Sequence, residues 1–340
     1  MRQIWIPKPG PPEVLEIREE RDPLPGPTQV RIRVAATGVN FADVMGRMGM
    51  YDDLPRMPVV PGYEVAGRID AVGDGVDASW IGKDVFALTR FGGYSDVVCV
   101  PEPQVYGRPP GMTLEEAAAI PVNYLTAYQL VVVMGGLRKG QTVLVHSAGG
   151  GVGIAVIQLA KRIGARVIGT ASTAKHDFLK SIGVDFCIDY RKEDFEQRSR
   201  EFTHARGVDL VLDAVGGASF RKSYRVLAPS GRLGMFGLSA AASGKRRSYL
   251  RAAPALLSTL RLRFSPVQLI NENKGVFGVN LGHLWQEIDR VASWMDDLLQ
   301  LHRDGALRPV ISAKFGFDEA AKAHHYIQDR KNVGKVLLVP

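Results

Sequence analysis

One mid-chain segment limits the possible folds more than any other. Thr142-Val143-Leu144-Val145-His146-Ser147 is an apolar, β-branched run that leads into Ala148-Gly149-Gly150-Gly151-Val152-Gly153, and Ile154 to Lys161 continues at helical spacing. That order predicts a strand, a tight turn and a helix. Backbone N–H groups and a helix N-terminus then converge where a pyrophosphate can sit. Ala148, Gly150 and Gly153 occupy the three small-residue positions of a dinucleotide fingerprint, with Gly151 and Val152 between them. Gly150 lets the pyrophosphate approach the backbone, and Gly153 lets the helix pack closely on the strand. Because the motif lies in mid-chain, a separate domain must precede it.

The next strand selects the nucleotide. Arg166 to Thr170 runs into Ala171-Ser172-Thr173-Ala174-Lys175 without an acid. A ribose with a free 2′-OH would require Asp or Glu about 20 residues into the fingerprint. Ser172 and Lys175 suit a 2′-phosphate instead, and Tyr190 or Arg191 after the third strand can flank it. NADPH is therefore the expected cofactor. The plainer alternative for Lys175 is a solvated lysine at a helix start.

At 340 residues the chain is expected to form two domains. Residues 1–122 read as β-rich, with strand candidates Val30–Val34, Val65–Val72, Val85–Leu88 and Tyr94–Val100. Thr113-Leu114-Glu115-Glu116 has capping-box spacing and predicts a helix start. From 123 to 280 strands alternate with helices: Val143–His146, Arg166–Thr170, Phe186–Asp189, Val208–Asp213, Arg232–Phe236 and Val276–Val279. This alternation argues for an α/β domain with a doubly wound parallel sheet. Residues 281–340 hold an amphipathic helix from about His283 to His302 and end in an apolar strand, Val336–Pro340, expected to return to the first domain.

The net charge of +8 has a local origin. Lys245, Arg246, Arg247, Arg251, Arg261 and Arg263 follow one another without an intervening acid. This is one basic patch, not the composition of a general nucleic-acid binder. Leu250, Leu256, Leu257, Leu260, Leu262 and Phe264 interleave with it. Residues 245–263 therefore suit either a helix resting on anionic lipid or nucleic acid, or a cap over an active site.

Cys99 and Cys187 sit in apolar runs and are expected to be buried, reduced thiols. The N-terminus lacks a signal-peptide core, and a cytoplasmic protein is expected. Uncharged residues 117–137 are broken by Pro121, Asn123, Gln129 and Gly135-Gly136, which favours a buried interdomain helix over a membrane span. His324-His325 reads as a helix-surface pair, and His146 as a residue whose backbone matters more than its ring. No Ser/His/Asp or Cys/His arrangement is suggested.

Four motifs then occur in order: Gly38-Val39-Asn40-Phe41-Ala42-Asp43, Pro61-Gly62-Tyr63-Glu64-Val65-Ala66-Gly67, Leu125-Thr126-Ala127-Tyr128 and Gly149-Gly150-Gly151-Val152-Gly153. Together they resemble the medium-chain dehydrogenase/reductase superfamily, in its zinc-free quinone oxidoreductase (zeta-crystallin-like) group. The ending Lys331 to Pro340 and the long 240–280 segment are similar to the vesicle-amine-transport-protein-like branch. The resemblance implies a Rossmann domain at 123–280, and a GroES-like catalytic domain made of 1–122 and 281–340. It implies a homodimer paired through the strand near Val276–Val279, and cofactor contacts from Thr126 and Asn332; Phe236-Gly237-Leu238 ends the fifth strand, where ligands bind in such sheets, and adds Phe236 and Leu238.

Zinc-dependent members carry Cys where Asn40 stands, His where Tyr63 stands and a second Cys near Asn123, so the resemblance implies a metal-free site. Asn40 and Tyr51 match residues lining the family's substrate cleft. Asn40 can donate an amide hydrogen bond, and Tyr51 a bond or a proton. Tyr63 is a third candidate. Tyr51 reads equally as cleft-rim packing, and Tyr63 as core. Asp43 and Glu64, without a metal to orient, are expected to form structural ion pairs, with Lys335 as a partner. The implied reaction is hydride transfer from NADPH to a quinone or α,β-unsaturated carbonyl. The alternative is a nucleotide-binding peripheral membrane or RNA-associated protein with weak or no catalysis.

Overall fold

A computed structural model describes residues 1–241 and 257–340. The described residues form two compact units: Met1–Leu125 with Leu281–Pro340, and 126–241 with 257–280. The first division falls after Leu125, three residues beyond the 122/123 boundary expected from the sequence.

The second unit is a six-stranded parallel sheet. Its order is Phe186–Asp189, Arg166–Ala171, Thr142–Val145, Val208–Asp213, Leu227–Met235, Gly275–Gly278. Helices Gly151–Ile163, His176–Ser181, Phe195–Phe202 and Ala218–Arg225 connect the first five strands. Thr142–Val145 and Val208–Asp213 are buried at every residue, as central strands covered on both faces must be. The chain leaves Thr142–Val145 toward one side of the sheet and returns to its other side. The end of that strand is therefore the topological switch point where such sheets bind ligands, and the glycine turn follows it. Gly153 is required there. A Cβ on it would lie 2.6 Å from the carbonyl oxygens of Ser147 and Ala148.

The first unit is built around the eleven-residue strand Gln29–Val39. Its sheet runs Ile311–Gly316, Lys335–Val339, Gln29–Val39, Glu64–Val72, Asp84–Leu88, Val105–Gly107, and Val97–Pro101 adds to Gln29–Val39. Val30, Ile32, Val34, Val65, Ile69, Val85, Val98 and Val100 form its core. Two registers position the polar residues discussed below. Val336 opposite Val39 brings Lys335 beside Asn40, and Thr37 opposite Val65 brings Glu64 beside Gly38.

Several local expectations change. The strand expected from Tyr94 begins at Val97, because Tyr94 N and Asp96 N bond outside the ladder, to Pro61 O and Arg2 O. The helix expected from His283 begins at Ile288, after short 3-10 turns at Leu281–His283 and Trp285–Glu287. The uncharged stretch divides into Leu114–Ala118, Pro121–Tyr128 and a π-helical turn, Gln129–Val133, that exposes Val132, Val133 and Met134. No helix among the described residues is long and apolar enough to cross a membrane. Both cysteines are free thiols but half-buried, because strand positions near a sheet edge keep partial access to solvent. Lys245, Arg246, Arg247, Leu250, Arg251 and Leu256 lie outside the described residues.

Candidate functional site

In the first unit the polar candidates converge on one carboxylate. Glu64 Oε1 accepts from Asn40 Nδ2 at 2.9 Å and pairs with the Lys335 ammonium. Lys335 Nζ also donates to Asn40 Oδ1 at 2.7 Å. Glu64 Oε2 accepts from Val122 N at 2.7 Å, near the start of Pro121–Tyr128. Glu64, Lys335 and Asn40 are 0%, 2% and 8% exposed. The expected Glu64–Lys335 pair is present. It engages both ends of the Asn40 amide, leaving its second N–H only the Gly38 carbonyl at 3.5 Å.

Asp43 makes no ion pair with Lys335, contrary to the sequence reading, because it is drawn into backbone bonds. Its Oδ2 accepts from Asn40 N at 2.7 Å and from Tyr94 Oη at 3.3 Å, and its Oδ1 accepts from Gly62 N at 3.1 Å. Desolvation is the largest influence and pushes its pKa up to about 7, against the pull of these bonds and of Lys335. Asp43 thus ties the backbone of Asn40 to that of Gly62, the residue before Tyr63.

Tyr63 is buried, with its ring edge-on to Tyr51 at 6.4 Å and tilted against Phe91 at 5.2 Å. Its hydroxyl is buried and has no hydrogen bond of good geometry. Burial first, then the Asp43 charge and nearby Tyr51, raise its pKa. The phenol therefore stays protonated and remains a hydrogen-bond donor. Tyr51 is half-exposed in the loop after helix Phe41–Arg47. The structure thus brings Asn40, Tyr51 and Tyr63 into one neighbourhood.

The second unit carries the glycine turn. Ala148 is buried, with its N–H on Thr170 O, and Gly150 N donates to Ser147 O. Gly150 is the N-cap of Gly151–Ile163, and no side chain caps that helix. The first-turn N–H groups of Gly151, Val152 and Gly153 have no intrahelical acceptors. Ser147 is exposed and left-handed at φ 54°, which turns the chain sharply out of the strand. A side chain at Gly149 would strike Lys175, whose Cδ lies 2.9 Å from the would-be Cβ. Lys175 therefore lies along the turn. Register pairs Asp189 with Ala171, so Tyr190 and Ser172 leave neighbouring strands side by side. Asp189 is acidic there, but Thr173 Oγ1 and Arg191 N bind it, and the Thr173 bond leads in lowering its pKa.

Thr126 is buried in Pro121–Tyr128. Phe236 follows Leu227–Met235, its N–H on Asp213 O, and Leu238 packs at Gly216. Asn332 belongs to the first unit, where its Nδ2 donates to Gly334 O at 3.0 Å.

Two histidine readings are overturned. His324 is wholly buried with Nε2 3.1 Å from Tyr94 Oη, because its helix face packs inward; only His325 reaches the surface, where it meets Glu13. The His146 ring is not idle. Its Nδ1 is 3.1 Å from Thr170 Oγ1 and its Nε2 3.1 Å from Ser223 Oγ, and Ser223 donates to Asp213 Oδ2 at 2.7 Å. This buried chain beneath the glycine turn joins residues up to 77 positions apart, which no local pattern signals.

Two outcomes follow from these buried charges. Lys335→Met strands the Glu64 carboxylate and should cost about 3–5 kcal/mol, while Lys335→Met with Glu64→Gln should recover most of it, as read by denaturant unfolding. Asp43 has a folded pKa above its unfolded value of about 3.9, so its stabilising contribution is complete below that value and is lost as pH rises toward 7. Unfolding free energies from pH 4 to 8 should show this decline in the wild type and not in Asp43→Asn.

The family model described as alcohol dehydrogenase GroES-like domain matches residues 26–127, and that described as zinc-binding dehydrogenase matches 151–297. A synaptic vesicle membrane protein VAT-1 homolog from Rattus norvegicus is 42% identical over 96% of this chain and 80% of its own length. The crystal structure of human synaptic vesicle membrane protein VAT-1 homolog-like protein superposes with TM-score 0.86 at 33% identity, covering 100% of this chain and 98% of that one. Escherichia coli quinone oxidoreductase complexed with NADPH gives TM-score 0.87 at 27% identity, covering both chains fully. This chain belongs to the medium-chain dehydrogenase/reductase superfamily of oxidoreductases, in the branch that holds the VAT-1 homologs.

Proposed function

We propose that this protein is an NADPH-dependent, metal-free reductase of quinones or α,β-unsaturated carbonyls. The observation that carries the reading is the pairing of an uncapped helix N-terminus at Gly150 with a lysine lying along the same turn. Gly150 offers an open cradle, since a Cβ there would meet only Ser147 O at 3.3 Å. The residues fit a dinucleotide bearing a 2′-phosphate. Gly151, Val152 and Gly153 offer N–H donors to the pyrophosphate, and Ser172, Lys175 and Tyr190 offer a hydroxyl, a cation and a phenol to the 2′-phosphate. When bound, NADPH supplies a hydride. Thr126, Phe236, Leu238 and Asn332 are its remaining proposed contacts.

A zinc ion does not fit the donor set, despite the name of the matched family model. Asn40 gives its amide to Glu64 and Lys335, Asn123 Nδ2 faces Ala119 O, and Tyr63, its pKa raised by burial, keeps its proton. A buried ammonium already neutralises the Glu64 carboxylate that Asn40 contacts, and the other buried carboxylate there, Asp43, is taken by backbone N–H groups. The acceptor must therefore be electrophilic without metal activation, as a quinone or an enone is. Negative charge that develops on its oxygen needs donors, and the Tyr63 and Tyr51 hydroxyls supply them. The raised pKa makes Tyr63 a hydrogen-bond donor before it is an acid. Solvent can deliver the final proton. Asn40 contributes its remaining N–H.

We also propose a homodimer through Gly275–Gly278, one of the two edge strands of its sheet among the described residues. NADPH oxidation over a quinone and enone panel tests the enzyme. Lys175→Ala should weaken NADPH about 10-fold, the loss of roughly one charge-assisted bond, and leave NADH unchanged. Tyr51→Phe and Asn40→Ala should lower kcat/KM. A folded protein without turnover on any acceptor overturns the reading.

A second reading has its own observation. Leu260, Val267 and Ile270 are 79%, 65% and 73% exposed close to Arg261 and Arg263, which suits an anionic lipid surface. Salt-sensitive binding to phosphatidylserine liposomes, lost when the six basic residues of 245–263 become Gln, supports it. Binding that survives the substitutions, or none at all, ends it.

A further inference from the structure

Three strands of the second unit end on a buried polar chain that none of the proposed cofactor contacts uses. His146 follows Thr142–Val145, Thr170 lies in Arg166–Ala171, and Asp213 closes Val208–Asp213. Ser219 and Ser223 come from helix Ala218–Arg225. His146, Thr170, Asp213 and Ser223 are all buried. Asp213 Oδ1 accepts from Val215 N at 2.7 Å and Gly216 N at 3.3 Å, and its Oδ2 accepts from the Ser219 and Ser223 hydroxyls, each at 2.7 Å. Among the described residues the only basic group within ion-pair distance of this carboxylate is the His146 ring, at 3.9 Å.

The bonds fix where each proton stands. A carboxylate accepts and has none to give, so the Ser223 hydroxyl directs its single hydrogen to Asp213. Ser223 Oγ can then only accept from His146 Nε2, 3.1 Å away, which places the ring proton on Nε2. Desolvation is the leading influence on His146 and lowers its pKa, against the Asp213 charge, so the ring is neutral at neutral pH. Its Nδ1 is therefore bare, and Thr170 Oγ1, 3.1 Å away, donates to it. Phe195 covers the ring edge-on at 4.4 Å. Every bond points the same way, from Thr170 to His146, to Ser223, to Asp213.

Each end of the chain holds a loop. Thr170 O accepts from Ala148 N in the glycine turn, and Ser172 and Lys175 follow two and five residues after Thr170. Asp213 fixes the 214–217 loop through Val215 N and Gly216 N, and its carbonyl accepts from Phe236 N. Leu238 lies against Gly216. We propose that His146 is a positioning residue for the nucleotide, locking these loops together so that the site is assembled before the ligand enters. The inference rests on the dinucleotide reading above and adds to it a residue that acts from beneath the turn. Packing alone does not call for a buried carboxylate, since apolar side chains of similar volume commonly hold a core as well. The hydrogen-bond chain adds fixed direction, and a preformed site loses less on binding.

Thr170 separates the chain from packing. Thr170→Val keeps the shape of the side chain and removes the donor to His146, whereas Thr170→Ser keeps the donor and removes a methyl group. Fluorescence titration of the purified protein should show NADPH binding weakened about 10-fold by Thr170→Val and close to wild type in Thr170→Ser. Packing alone gives the reverse order. NADH should weaken by the same factor, because the chain sets backbone N–H groups and not the 2′-phosphate contacts, in contrast to Lys175→Ala. Ser223→Ala cuts the chain at its other link and should weaken binding as well, and the double variant should lose less than the product of the two factors. A wild type that binds neither nucleotide ends the dinucleotide reading and this inference with it. A wild type that binds, with Thr170→Val unaffected or harmed less than Thr170→Ser, or with losses that multiply, overturns the positioning role alone.

Discussion

The Glu64 carboxylate is the constraint on which the first unit depends. It gathers Asn40, Val122 and Lys335, which enter from a helix start, a second helix start and the last strand of the chain. A wholly buried carboxylate is tolerated only if paired and hydrogen-bonded, and each of its partners is therefore fixed in place. The close approach has a backbone requirement. A Cβ at Gly38 would lie 2.3 Å from Glu64 Oε1 and 2.5 Å from Lys335 Cε, so only glycine admits the pair. The ion pair thus explains a motif glycine with no ligand of its own.

The same carboxylate decides what Asn40 can do. In a solvated loop its amide would be free to meet an acceptor, but here it bridges an ammonium and a carboxylate. Asp43 holds the Asn40 backbone from the other side while fixing Gly62, and so sets where Tyr63 stands. Of the three candidates, Tyr63 alone combines a buried hydroxyl with the lack of a well-formed bond. A buried donor held only by a loose contact with Tyr51 can turn to a better acceptor, which makes Tyr63 the strongest place to look for an acceptor oxygen.

The second unit was legible because its signals are local. Alternation of strand and helix gave the sheet, an apolar run ending in glycines gave the turn, and the absence of an acid after Arg166–Ala171 gave the nucleotide preference. Each signal needs only neighbouring residues, and the parallel connections follow from handedness. The His146–Ser223–Asp213 chain beneath the turn was not legible, because its partners come from separate strands and a helix and only burial unites them.

The first unit shows the opposite balance. Its strands are visible through alternation, yet nothing in the sequence reading marks Phe41–Arg47 as a helix, and His324 lies on the buried side of its helix and not on the expected surface side. Adjacent histidines look like a surface pair when read along the sequence. In a helix, however, neighbours point about 100° apart, so one of two consecutive residues can be core while the other is solvated. What separates them is the packing of Ala323 and Ile327 against the core, which drags His324 inward with Tyr94 as its partner. Polar groups buried in this way take their roles from partners hundreds of positions distant, so reading this unit's chemistry requires the fold first.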